Sequence, residues 1–550
     1  MKRRTLLKTI AMTVPTVGLS KLYGKNLLSN TLASLALEEP FKPTWSSLAH
    51  YQVPDWFRDA KFGMWAHWGP QCQPEYGDWY ARGMYQEGSD QYKYHCEKYG
   101  HPSKFGFKDV IHEWKAENWN PEELVALYKK AGAKYFMALA NHHDNFDLYQ
   151  SKYQPWNSTK VGPRKDLIGG WAKAAKHKGL PFGVSVHASH AWSWYEVAQR
   201  SDSTGQYQGI PYDGNLTRQN GAGKWWNGLD PQDLYAQNHS LSENSKENRG
   251  IFKQWEWGNG VAMPSPAYFE NFYNRTIELI DRYSPELIYF DDTALPLWPV
   301  SDAGLRIAAH LYNKSIKEHG QLRAVIYGKV LDEQQRKCMV WDIERGQSNK
   351  IEVLPWQTDT CIGGWHYDRR IYDRNQYKTA KTIIHMLVDV VSKNGNLLLN
   401  IPVRGDGTID EKERAVVEDI ASWMNVNSEA IYKTRPWKIF GEGPAIESAA
   451  PLSAQGFNEG KGKPYTAEDI RYTTKGKTLY ATMLGWPLGN EAKIKKLALN
   501  AGVGRIEKIT MLGYADSLNY KQTIDGLSIQ LPQQTPGKEA FVFKVEGAII

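Results

Sequence analysis

The chain is poor in cysteine. Its four, Cys72, Cys96, Cys338 and Cys361, lie far apart and form no C-x-x-C pair. That argues against a thiolate zinc site or a disulfide framework, while a single bridge in an oxidising compartment stays possible. Long apolar runs are also missing. Residues 9–20, after the first basic residues, are too short to span a bilayer, and no later run is longer. No glycine-rich phosphate loop follows a strand pattern, and there is no internal repeat or low-complexity segment. An excess of one charge is absent too. The formal net charge is +7, but Lys2, Arg3, Arg4, Lys8, Lys21 and Lys25 supply six positive charges within residues 1–36, where there is no acid. The remainder carries about +1, so no basic field points to nucleic acid.

What is present is length and aromatic content. With 550 residues and 41% hydrophobic content, the chain can build a large core and two domains. The 22 Trp and 31 Tyr fill such a core, or form platforms for the apolar faces of sugar rings. The opening "MKRRTLLK" and the small-residue stretch behind it resemble a twin-arginine export signal, read here over residues 1–36 with cleavage after Ser34-Leu35-Ala36. A periplasmic or secreted location is expected.

From there, strand and helix patterns alternate. "AKYFMALA" follows the helix pattern "PEELVALYKKAG", and "PFGVSVHA" follows "DLIGGWAKAAKHKG". "ELIYFDD" follows "YFENFYNRTIELIDRYS", "LRAVIYG" follows "LRIAAHLYNKSIKEHG", and "NLLLNIPV" follows "TAKTIIHMLVDVVSKNG". Repeated couplets of this kind predict an α/β fold, a (β/α)8-like barrel over residues 37–440. Near residue 440 the texture changes to short alternating runs such as "RYTTKGKTLYATMLGWP" and "EAFVFKVEG". These predict a small antiparallel β-sandwich over residues 441–550.

The stretch Glu286–Asp292, "ELIYFDD", runs four apolar residues into two carboxylates. A buried strand has no structural use for an aspartate at its end. Either Asp caps the next helix, or it stands at the carboxyl end of a barrel strand, where barrel enzymes keep their chemistry. Other strand ends bear polar residues as well: His67 in "HWGP", His142, His143 and Asp144 in "NHHD", and His187 and His190 in "VHASH". Two chemistries use such a set. Histidines with an aspartate suit a metal hydrolase; alternatively, they hydrogen-bond the hydroxyls of a polar substrate while carboxylates do the covalent work. A metal site favours H-x-H or H-x-x-x-H spacing, whereas adjacent His142 and His143 would point opposite ways in a regular strand.

Six motifs in order, "WFRDAKFGMWAHWGP", "YGDWYARGMY", "AGAKYFMALANHHDNFDLYQSKYQPWNS", "RKDLIGGW", "LIYFDD" and "NGNLLLNIPVRGDGTI…EAIYKTRPW", resemble glycoside hydrolase family 29, the α-L-fucosidases. The resemblance covers about residues 50 to 437 and implies a retaining exo-glycosidase with no metal or cofactor. In that family the nucleophile is the Asp of a W/Y-x-D strand end, matched here by Asp291, while Asp292 stands where Gly is usual and is expected to orient the loop. The resemblance places His67, His142 and His143 on the sugar hydroxyls. It puts Asp78 where the family has a glutamate, with Trp79 and Tyr80 as pocket wall. His187 joins the binding set as a strand-end histidine. The acid/base is sought in "VWDIERGQSNKIEVLPWQTDTCIGGWHY", with Glu344 leading and Glu352 and Asp342 competing; Trp356 and Trp365 are expected at the pocket mouth. The implied partner is a fucosylated glycan, or an L-galactose-containing one if the same fold serves as an α-L-galactosidase. A metal-dependent hydrolase and a catalytically inactive sugar-binding protein stand as more distant alternatives.

Overall fold

The computed structural model describes residues 39–243, 257–258, 260–446 and 457–549, all but the first two of them in one compact unit, Phe41–Ile550. The expected export signal lies outside the described residues. Eight parallel strands close a barrel: β1 Phe62–Ala66, β2 Phe136–Asn141, β3 Phe182–Val186, β4 Leu287–Phe290, β5 Val325–Gly328, β6 Val340–Glu344, β7 Trp356–Cys361 and β8 Gly395–Asn400. Pairing of β1 with β8, Phe62 opposite Leu397 through Trp65 opposite Asn400, completes the ring. Five of these strands follow the apolar runs read in the sequence, and β1 leads to the strand end read at His67. β6 and β7 do not, because "VWDIE" and "WQTDTC" carry carboxylates and threonines where a buried strand usually carries aliphatics.

Strand side chains alternate between faces, and this alternation sorts the barrel. Trp65, Met137, Leu287, Tyr289, Val325, Tyr327, Val340 and Leu398 form the interior cluster. Their neighbours Met64, Phe136, Ile288, Ile326 and Leu397 join the larger core beneath the helices. The interior is tight: a Cβ on Gly63 would lie 2.2 Å from the Tyr135 ring.

The surrounding helices start at short polar caps that satisfy free amides. Asn120 caps Pro121–Lys130, Asp166 caps Leu167–His177, Ser265 caps Pro266–Tyr283 and Thr379 caps Ala380–Ser392. Helix Ala303–His319 ends at Gly320, whose left-handed backbone glycine adopts freely.

Beyond the barrel, β9 Arg435–Glu442, β10 Ile470–Lys475, β11 Thr478–Met483, β13 Lys508–Met511 and β16 Phe541–Glu546 form one antiparallel sheet, ordered β13-β16-β11-β10-β9. A second holds β12 Glu491–Ile494, β14 Tyr520–Thr523 and β15 Gly526–Gln530. Tyr472 and Phe543 of the first share one core with Ile494 and Ile529 of the second, which makes the domain an antiparallel sandwich.

A buried charge cluster ties this domain to the barrel. Asp389, on helix Ala380–Ser392, accepts from Arg471 of β10 at 2.5 Å and from Lys393 at 2.6 Å. Burial raises the Asp389 pKa, but the two cations outweigh it and hold the carboxyl below its usual value. Its stabilisation is therefore present above about pH 4 and is lost as pH falls through the depressed folded value. Asp389→Ala strands two buried cations and is expected to cost about 3–5 kcal/mol. A urea midpoint unchanged from wild type would refute this.

Candidate functional site

Period-two alternation decides which strand-end residues enter the barrel mouth. Interior residues Leu287 and Tyr289 of β4 are followed by Asp291, Val325 and Tyr327 of β5 by Lys329, and Val340 and Asp342 of β6 by Glu344. The Asp291 carboxylate receives His143 Nε2 at 3.0 Å, His187 Nδ1 at 3.3 Å and Lys329 Nζ at 2.6 Å. The same ammonium also bonds Glu344. Asp291 and Glu344 remain open to the mouth, at 20% and 17% side-chain exposure, while Lys329 is buried at 4%.

Burial pushes the Asp291 carboxyl up, but Lys329 and the two histidines outweigh it and hold its pKa well below the carboxylate range. Burial alone would strip Lys329 of its proton; Asp291, Glu344 and Asp359 instead raise its pKa. Asp342, deeper in the barrel, is pushed up to about 7, first by burial and then by the charges of Glu344 and Asp291.

The adjacent histidines both reach the site because β2 ends at Asn141, before them. The His142 and His143 rings lie 4.5 Å apart, and His142 stacks on His187 at 5.0 Å. His143 Nδ1 donates to the His187 carbonyl at 2.6 Å, and His142 Nδ1 pairs with Gln71 Nε2 at 2.8 Å. Burial lowers the pKa of His67 and His142 well below the usual value and that of His187 to about 4. Neutral imidazoles carry one donor and one acceptor each, a match for sugar hydroxyls. Neither ring nitrogen of His67, nor Nε2 of His187 or His366, has a hydrogen-bond partner among the described residues, while His366 Nδ1 lies 3.5 Å from Asp78 Oδ1. Unpartnered buried nitrogens lining a mouth are places for a polar ligand.

Trp365 stands at the mouth, its ring 5.5 Å from Trp65 and 5.7 Å from His67. Asp78 spends both oxygens on the backbone N–H groups of Trp365, at 3.1 Å, and His366, so it holds that loop in place. Trp79 lies beside His143 and Trp194 at ring distances of 6.4 and 6.3 Å. Asp292 points away from the mouth. It accepts from Ser189 Oγ at 2.9 Å and Thr293 N at 2.7 Å and lies 3.2 Å from His190 Nε2, joining the loops after β3 and β4.

Three expectations are corrected. Trp356 is not at the mouth: it opens β7 at the amino end, faces the outer core and donates to the Lys393 carbonyl at 2.8 Å. Tyr80 is fully buried, its hydroxyl bonded to His95 at 2.9 Å, and forms no wall. Glu352, a rival for the acid/base, is held by Arg336 at 3.0 Å and Ser348 at 2.7 Å, in the segment that returns to the amino end of β7. The sequence reading overlooked Lys329, His366 and Asp359. Extending the alternation of Val325 and Tyr327 by one step would have found Lys329, whereas His366 lies in a loop without periodicity.

Two overlapping triads, His67–His142–His366 and His142–His143–His187, each bring one nitrogen per ring within 4.8 Å of the others, close enough to hold a metal ion. In the second triad His142 Nδ1 is committed to Gln71, and both nitrogens of His143 face acceptors. That leaves it poorly supplied with free lone pairs.

The family model described as alpha-L-fucosidase matches residues 28–429, and that described as the alpha-L-fucosidase C-terminal domain matches 463–546. The chain belongs to the α-L-fucosidase family. It is a glycoside hydrolase with the two-domain layout of that family. The tissue alpha-L-fucosidase of Rattus norvegicus is 27% identical over 525 residues, covering 92% of this chain and 91% of the relative. The Homo sapiens tissue enzyme is 26% identical over 528 residues, with 92% of each chain covered. Among solved structures, a Thermotoga maritima alpha-L-fucosynthase in complex with alpha-L-Fuc-(1-2)-beta-L-Fuc-N3 is similar, at TM-score 0.66 and 25% identity. That match covers 92% of this chain and all of the other. In this α-L-fucosidase family member, Lys329→Met removes the cation shared by Asp291 and Glu344. The turnover of aryl α-L-fucoside is expected to fall at least ~100-fold. Losing the positive charge raises the Asp291 pKa, so the acid limb of kcat/KM moves to higher pH. An unmoved acid limb in the variant would contradict the assignment.

Proposed function

We propose that this enzyme is an exported, retaining exo-glycosidase that removes terminal α-L-fucosyl groups from glycans or polysaccharides by double displacement. One observation carries the reading: a single ammonium, Lys329 Nζ, contacts both Asp291 and Glu344. Two hydrogen bonds to one nitrogen keep the nearest carboxylate oxygens within roughly 5 Å of each other. Retaining glycosidases hold their two carboxyl groups about 5–5.5 Å apart, whereas inverting enzymes need a wider gap for water.

Asp291, held ionised by Lys329, His143 and His187, attacks the anomeric carbon and forms the glycosyl ester. Glu344 protonates the departing oxygen and then takes the proton of the attacking water. The imidazoles of His67, His142 and His366 receive the ring hydroxyls, and Trp365 supplies an apolar face beside them. The fucosyl ligand of the similar Thermotoga structure supports fucose as the sugar. The basic leader over residues 1–36 supports export. No helix among the described residues is long and apolar enough to cross a membrane.

Side-by-side assays on aryl α-L-fucoside and aryl α-L-galactoside, with and without chelator, test substrate and mechanism together. The fucoside is expected to be cleaved, with the α-anomer of the sugar released first and no effect of chelator. Initial β-anomer by proton NMR would exclude double displacement, and EDTA inactivation reversed by zinc would replace it with metal chemistry. Preferential cleavage of the galactoside would move the enzyme to the L-galactose alternative.

Variants divide the roles. Asp291→Gly is expected to lose several powers of ten in rate while still binding the sugar, and to form β-fucosyl azide when azide is added. Asp292→Asn retains most activity. Glu344→Ala slows poor leaving groups far more than activated aryl ones. An inactive Asp292→Asn beside an active Asp291→Gly would reverse the assignment.

A further inference from the structure

Beneath the two carboxylates of the mouth lies a third that the mechanism above leaves unused. Asp359 sits on β7 directly opposite Glu344 on β6, their Cα atoms paired in the parallel ladder. Gln357 and Asp359 continue the interior face of β7, as Asp342 and Glu344 do on β6, and Gln357 Nε2 donates to Asp342 at 2.9 Å across the two strands. Asp359 is completely buried, and neither of its oxygens accepts a hydrogen bond among the described residues. The groups that face it are Tyr289 from β4, Lys329 from β5, and Asp342 and Glu344 from β6. The cation among them, Lys329, already places its ammonium on Asp291 and Glu344.

A buried carboxylate that faces only the Tyr289 phenol as donor and has no cation of its own does not stay ionised; it keeps its proton. Burial first, and then the charges of Asp342 and Glu344, push the Asp359 carboxyl well above the usual range. A neutral carboxylic acid is a donor, and the strongest acceptors facing it are the carboxylates of Glu344 and Asp342. Glu344 is paired with the Lys329 ammonium, and the first step of glycoside cleavage requires it to pass on a proton.

We propose that Asp359 stores the proton that Glu344 delivers to the leaving group, acting as a positioning residue behind the acid/base. The step balances. The Asp359 O–H bond breaks as a Glu344 O–H bond forms, and the Glu344 proton passes to the glycosidic oxygen as its bond to the anomeric carbon breaks and the Asp291 ester forms. In the second step water gives its hydroxyl to the anomeric carbon and its proton to Glu344, and the proton returns to Asp359. The cycle needs no other reactant. Asp359 is sealed from the mouth, so it reaches the substrate only through Glu344.

This inference rests on Glu344 being the acid/base, and its test keeps the two apart. Asp359→Asn preserves shape but cannot return a carboxyl proton. With alkyl α-L-fucosides, whose leaving groups need protonation, kcat is expected to fall about 10–100-fold. With dinitrophenyl α-L-fucoside the change stays within about threefold. The alkaline limb of the kcat/KM profile moves to lower pH, because the carboxyl that stores the proton is gone. A variant with wild-type leaving-group dependence and pH profile overturns the proton store. If Glu344→Ala is also wild type on alkyl fucosides, the acid/base reading falls with it; if Glu344→Ala is disabled, only the store falls. Infrared spectra of wild-type enzyme labelled with carbon-13 aspartate need no variant to fold. A protonated aspartic carboxyl band that persists at pH values above the Asp342 titration at about 7 is expected, and its absence overturns the proposal.

Discussion

Everything at the barrel mouth depends on one buried ammonium. Lys329 is placed in an apolar interior where a lone cation would lose its proton, and it stays charged because carboxylates surround it. The debt runs both ways. Asp291 and Glu344 could not share so small a space as two bare anions, since like charges at that distance force one of them to take a proton. With the ammonium between them, Asp291 is held well below the usual carboxylate pKa and both carboxylates stay on one nitrogen. Charge that Lys329 does not neutralise raises the pKa of the buried carboxyls below, Asp342 and Asp359.

The position of that ammonium is a consequence of barrel geometry. Eight short strands, each alternating inward and outward, deliver one further inward residue at the carboxyl end. For β4, β5 and β6 these residues are Asp291, Lys329 and Glu344, and for β1 and β3 they are His67 and His187. Asp292 is one step out of phase with Asp291, so it turns into the loop layer and bonds Ser189 and Thr293. Two adjacent aspartates thus acquire different tasks from a period of two alone. The tight interior below, with Tyr289, Tyr327 and Trp65 filling the barrel, keeps these side chains in place and excludes water from the lower carboxyls.

The loops and the second domain act on this centre from outside. Asp78 clamps the backbone of Trp365 and His366, which brings an indole and an imidazole over the mouth from a loop that has no regular structure of its own. Far from the mouth, Arg471 and Lys393 close on Asp389 and fasten the sandwich to the last barrel helix. Among the described residues the sandwich domain adds no side chain to the carboxylate cluster, while the Phe457 amide ahead of β10 donates to the Glu344 carbonyl at 2.9 Å.

The amino-acid sequence by itself determined the repeating strand and helix couplets, the change to short alternating strands after the barrel, and the strand-end residues His67, His142, His143, His187 and Asp291. These are local patterns, written within a few residues of one another, and the six ordered motifs carried the family. β6 and β7 stayed hidden because their inward positions hold Asp342, Glu344, Gln357 and Asp359, and polar residues on a buried strand erase the hydrophobic signal that marks it. Trp356 could not be separated from Trp365 by composition, since one lies at the amino end of β7 and the other past its carboxyl end. Only the closed barrel decided that Lys329 lies between Asp291 and Glu344 and that Asp359 lies behind Glu344. Those residues come from four strands, and their meeting is set by ring closure and register, which no single stretch of chain contains.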